Sequence, residues 1–101
     1  MKPRLPLALL ALAALPALAQ TPDPTHVRSW AASCANCHGT QGQAQPGMVK
    51  LAGMPASEMV RKMADFKNNR VPTATVMHQL AKGYTDEQIA AIAAWFAAQK
   101  P

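Results

Sequence analysis

Cys34-Ala35-Asn36-Cys37-His38 gathers two thiols and an imidazole into five consecutive positions, and these are the only cysteines of the chain. Such a C-x-x-C-H unit suits covalent haem attachment, and each member has a use there. The two thiols add across two vinyl groups of the porphyrin and become thioethers. Two intervening residues match the separation of those vinyls along one helical turn. The adjoining imidazole then lies beneath the iron as an axial ligand. Other uses of the pair fit less well. A redox dithiol belongs next to a βαβ pattern, which this sequence lacks. A zinc site needs a second pair of ligands at matching spacing. A plain disulfide across so small a loop would add little stability.

A haem iron has a second axial position to fill. Met77 and His78 stand side by side ahead of the last helical pattern, in a stretch that can cross the opposite haem face. Met77 is the expected ligand and His78 the alternative. Met59 and Met63 fall on the apolar face of a helical pattern, where methionine serves as core filler. Met48 and Met54 lie in a loop and are expected to line the haem pocket. His26, and His78 if it is not a ligand, read as exposed imidazoles.

The elements that must position these groups are helical. Asp23-Pro24 is a helix start, an aspartate cap followed by proline at the first helical position. Val27, Trp30, Ala31 and Cys34 then recur on one helical face running into the cysteines. Residues 39–53 hold Gly39, Gly42, Pro46, Gly47 and Gly53 and read as a loop. A loop of that length in a small domain tends to be functional. Pro55 opens a second helix with Met59, Val60, Met63 and Phe66 on its apolar side, ended by Asn68-Asn69. Residues 70–83 show no sustained period. Thr85 with Gln88 forms a capping box, and Ile89, Ile92, Ala93 and Phe96 mark the buried side of a final helix. No strand pattern, repeat or second domain is visible. The reading is all-α, with three to four helices.

Lys2 and Arg4 precede an apolar run over residues 5–19 that closes on Ala17-Leu18-Ala19. This is the pattern of a secretory signal, cleaved after Ala19. The run is short for a membrane span and is interrupted by Pro6 and Pro16. Residues 1–19 are thus expected to leave, residues 20–101 to form the domain, and no membrane anchor to remain. The expected location is the periplasm. The formal charge of +5 loses two units with the signal, which is too mild to imply nucleic-acid binding. The remaining chain is small for a core of side chains alone, and a large apolar prosthetic group would supply what is missing.

These residues resemble class I c-type cytochromes of bacteria from about residue 27 to 99. Cys34 to Gly39, followed by Pro46 and Lys50-Leu51-Ala52-Gly53, looks like the cytochrome c4 type. The stretch from Met77 through Gly83-Tyr84-Thr85-Asp86 to Ile89 is similar to the monohaem cytochrome subunit of flavocytochrome c sulfide dehydrogenase. The resemblance implies a class I cytochrome c fold, helices wrapped around one covalently bound haem c. It also implies Met77 as axial ligand, a carbonyl of Pro46 orienting His38, Leu51 packing on the ring and Arg70 near the propionates. Trp30, Trp95 and Phe96 would sit where the first and last helices cross. Dihaem relatives repeat the motif, and a single C-x-x-C-H here implies one haem.

With both axial positions filled, no open site remains for substrate chemistry, so the expected role is one-electron transfer rather than catalysis. Lys50, Lys62, Lys67 and Lys82 are expected to ring the haem edge and steer docking. Two roles follow. One is an electron-accepting subunit bound to a flavoprotein sulfide dehydrogenase. The other is a freely diffusing carrier serving oxidases or reductases. A redox dithiol protein is the remote alternative. A bound subunit is expected to expose an apolar patch, for which Met48, Val49, Met54 and Val71 are candidates, and a diffusing carrier a charged rim.

Overall fold

The computed structural model describes residues 1–4 and 22–101. The expected signal, residues 1–19, lies outside the described residues but for its first four.

Helix α1 spans Pro24–His38. Asp23 Oδ1 accepts the Thr25 backbone N–H at 2.7 Å, satisfying a donor with no partner inside the helix, and Pro24 removes another. A short 3₁₀ turn, Thr40–Gly42, follows. Helix α2 covers Ala56–Lys67 and is capped by Asn68, after which Asn69 turns the chain at φ 55°. Helix α3 is Met77–Lys82 and α4 is Asp86–Ala97. At the start of α4 the capping box is complete: Thr85 Oγ1 accepts from Gln88 N–H at 3.1 Å, and Gln88 Oε1 accepts from Thr85 N–H at 2.9 Å. The described residues contain no strand, so the fold is all-α.

Helix α1 packs on α4, and α2 packs on both α3 and α4. Ala31, Met59, Ile92, Ala93 and Phe96 form the core, with Trp30 and Trp95 against it. Ala31 and Ala93 are small enough to let α1 and α4 approach, and Phe96 is fully enclosed at 0% exposure. Trp95 meets Phe96 edge-on, ring centroids 4.9 Å apart, a favoured aromatic geometry. The crossing of first and last helices thus uses the three aromatic residues expected there. Of the nine buried apolar residues described, four are alanines. So thin a core leaves volume unfilled on one side of it.

Two sets of contacts hold the irregular segments. In the first, the Gly42 carbonyl accepts from Leu51 and Ala52 N–H at 2.9 and 3.0 Å. Gly42 itself has φ +74°, and a Cβ there would fall 2.8 Å from Phe96 Cδ1, so only glycine fits. In the second, the Tyr84 hydroxyl bonds Ser33 Oγ of α1. Lys67 Nζ of α2 donates to the Tyr84 carbonyl at 2.6 Å and to Asp86 Oδ1 at 3.1 Å. The link between α3 and α4 is therefore fastened to both other helices. The opposite end of α3 begins at Val76 with no side-chain cap. This six-residue helix falls in a stretch that shows no sequence period, because fewer than two turns cannot display one.

Candidate haem site

The unfilled volume is a cavity of about 410 Å³ between α1, the 47–54 loop, α2 and α3. It falls in the range of cofactor-sized sites. Cys34, Cys37 and His38 stand on its wall from α1, Leu51 and Met54 from the loop, Met59, Met63 and Phe66 from α2, and Met77 from the start of α3. The C-x-x-C-H unit occupies the last turn of α1, which places both thiols and the imidazole along one side of the helix end. Cys34 is half-buried and Cys37 exposed, and both thiols are free. Burial pushes the Cys34 thiol up from its ordinary pKa, opposed by a hydrogen bond with Ser33. Among the described residues no three His, Cys, Asp or Glu side chains converge as a metal-binding group, so nothing completes a zinc site around these cysteines.

The orientation of His38 is set by one contact. Its Nδ1 lies 2.7 Å from the Val49 carbonyl oxygen. A carbonyl can only accept, so Nδ1 carries a proton, and in the neutral ring Nε2 is the nitrogen with the free lone pair. That is the arrangement of a metal-ligating imidazole with its outer-shell partner in place. The residues fit a haem: an apolar cavity of cofactor size holds two thiols, a correctly protonated imidazole and, from another element, the thioether of Met77 as a second ligand of suitable chemistry.

The geometry bears on the expectations for Pro46 and Arg70. The carbonyl that holds His38 belongs to Val49, not Pro46; Pro46 is exposed and does not line the cavity. The turn at residues 45–48, closed by Met48 N–H to the Gln45 carbonyl at 2.9 Å, carries the chain past Pro46 before a carbonyl faces the ring. Arg70 likewise does not line the cavity. Its Nε binds Asp65 Oδ1 at 2.9 Å across the end of α2. Leu51 does stand on the wall, as do Met48, Met54, Met59 and Met63. His78 is half-buried outside the lining, with Nδ1 lacking a hydrogen-bond partner, and His26 is exposed and stacks on Trp30. Of the four lysines expected to ring the haem edge, Lys62 is on the cavity wall among the described residues, Lys50 is exposed, Lys67 is engaged as above and Lys82 Nζ binds Asn69 Oδ1 at 3.1 Å.

Sequence reasoning missed the wall residues Ser33, Thr75, Val76, Leu80 and Tyr84. Ser33 had a signal, its place beside Cys34; the others had none in periodicity or motif.

Residues 27–100 match the family model for cytochrome c. This chain belongs to the cytochrome c family. Family members bind haem c covalently and transfer electrons, and the two cysteines of this cytochrome have the spacing for that bond. Over 64 residues it is 42% identical to the cytochrome subunit of sulfide dehydrogenase of Chlorobaculum tepidum, covering 63% of this chain and 57% of that one. It is 38% identical over 71 residues to cytochrome c4 of Pseudomonas aeruginosa, covering 69% of this chain and 35% of that one. It is 32% identical over 71 residues to cytochrome c-554(548) of Halomonas halodenitrificans, covering 67% of this chain and 86% of that one. The cytochrome thus spans less than two thirds of the length of the first two relatives and most of the third. No helix among the described residues is long and apolar enough to cross a membrane.

Proposed function

We propose that this cytochrome is a periplasmic, monohaem electron acceptor that works as the cytochrome subunit of a flavocytochrome c sulfide dehydrogenase. The observation that carries the reading is the mouth of the cavity. Met48, Val49, Val76 and Leu80 all line it and are exposed by 47, 58, 54 and 52%. Bound haem would cover the cavity side of these four side chains, and what they present beyond it is apolar surface suited to burial against a second protein. Two of them, Met48 and Val49, are among the residues expected in such a patch. The similarity to a sulfide dehydrogenase subunit supports the choice of partner, and the basic start and apolar run of residues 1–19 support export.

In this reading Cys34 and Cys37 would hold the haem as thioethers, and His38 Nε2 and Met77 Sδ would supply ligands to its iron. The bound haem supplies a reversible one-electron change at iron. The protein supplies the rest. The Val49 carbonyl keeps the proton on Nδ1 and the ring in one orientation. A thioether ligand from Met77, together with His38, would raise the potential. Leu51, Met54, Met59, Met63 and Phe66 keep water from the ring faces, which disfavours the charged, oxidised centre.

The test is purification from the native source under gentle conditions while following haem absorbance. Stoichiometric co-elution with a flavin-bearing protein is expected. Elution of the haem protein alone as a small monomer would overturn the subunit reading. It would favour the second reading, a freely diffusing carrier, which has its own support in the near full-length match to cytochrome c-554(548).

A further inference from the structure

A haem carries two carboxylates on an otherwise apolar macrocycle, and an apolar wall cannot take up a carboxylate without a partner. The polar groups on the wall leave few candidates. His38 Nδ1 is committed to Val49, and the hydroxyls of Ser33 and Tyr84 are bonded to each other. Thr75 offers a neutral hydroxyl. Among the described residues, Lys62 is the only lysine or arginine on the wall. It shares one side of α2 with Met59, Met63 and Phe66, so its aliphatic stem extends the apolar surface while the ammonium stays near water, its side chain 46% exposed. Its ion pair with Glu58, four residues back at 3.3 Å, joins two partly exposed groups and is of the weak, readily exchanged kind. Arg70, the basic residue that resemblance puts at the carboxylates, does not line the wall and pairs with Asp65.

We propose that Lys62 Nζ binds a haem carboxylate, releasing Glu58 in exchange. The ammonium, held beside the macrocycle, favours the reduced iron, which carries one positive charge fewer. The proposal rests on this cavity being the place of the haem.

The experiment uses the holoprotein with haem carboxylates labelled with ¹³C and records the redox-difference infrared spectrum and midpoint potential of four forms: wild type, Lys62→Gln, Lys62→Arg and Arg70→Gln. Lys62→Gln is expected to shift the labelled carboxylate bands and lower the potential. Lys62→Arg restores both, and Arg70→Gln leaves both unchanged. Unshifted bands in Lys62→Gln overturn the proposal even if the potential falls, because a distant charge alone can lower it. Shifted bands in Arg70→Gln overturn it as well. A haem placed elsewhere reads differently: Met77→Ala and Lys62→Gln would then both leave the haem spectrum untouched. If Met77→Ala alters that spectrum and Lys62→Gln does not move the bands, only the carboxylate assignment falls.

Discussion

Replacing Gly42 by alanine tests how the haem-facing loop is held. Two penalties add. At φ +74° a side chain costs about 1 kcal/mol in backbone strain. The added methyl would also sit 2.8 Å from Phe96 Cδ1, 2.9 Å from Ala52 N and 2.9 Å from Leu51 Cβ. One of those atoms is backbone and another belongs to a fully enclosed ring, so relief requires moving the core; overpacking of this kind costs about 1–3 kcal/mol. The total is about 2–4 kcal/mol, a sizeable part of the roughly 5–15 kcal/mol that holds a small domain together. Thermal unfolding of the holoprotein, followed by far-ultraviolet circular dichroism, should show Tm lowered by about 8–30 °C, at about 4–8 °C per kcal/mol. Gly47 separates the two penalties. Its φ is +80°, yet a Cβ there meets nothing within 4 Å. Gly47→Ala should therefore show the strain alone, a fall of about 4–8 °C. Equal shifts in the two variants would refute the reasoning, since the close approach to Phe96 would then contribute nothing.

Met77→Ala should open the iron to added cyanide or carbon monoxide, read by spectral titration; continued exclusion of both ligands would remove Met77 from the axial position. Tyr84→Phe removes the hydroxyl that bonds Ser33 and should cost about 1 kcal/mol in urea denaturation. Pairing it with Ser33→Ala should cost little more than either change alone, and full additivity would show that the two hydroxyls act separately. Asp23 has its pKa lowered chiefly by the Thr25 backbone N–H. A carboxylate with a depressed folded-state pKa contributes stability above its unfolded value and loses it as pH falls through the folded one. Amide exchange in the first turn of α1 should therefore quicken relative to the rest of that helix below about pH 4, and Asp23→Asn should abolish this pH dependence.

What could be read in the sequence was what local chemistry decides. Asp23-Pro24 caps α1, Asn68-Asn69 ends α2 and Thr85 with Gln88 starts α4, because a helix end is satisfied by side chains a few residues away. The C-x-x-C-H unit was legible for the same reason. The misses are matters of path through space. Which carbonyl of residues 39–53 meets His38 depends on the summed dihedral angles of a turn-rich loop, and Val49 looks no different from Pro46 until that path is drawn. Arg70 could face the cavity or Asp65, and its sequence neighbours do not decide between them. The four lysines differ only in what surrounds them: Lys67 finds Tyr84 and Asp86, Lys82 finds Asn69, Lys50 is exposed, and Lys62 stands on the cavity wall.

The two ends of α3 are held very differently. Past its C-terminus, the Tyr84 segment is tethered to α1 and α2 by Ser33 and Lys67, whereas its N-terminus starts at Val76 without a side-chain cap. Strength of attachment therefore falls along the helix toward Met77. Opening of this part of the molecule is expected to start at Met77 and turn about Tyr84, with the α1–α4 crossing still closed. The segment that carries Met77 is thus expected to open before the helix that carries Cys34. Loosening at the methionine is a local event that leaves the attachment helix folded and lets the segment close again without a search through unfolded states.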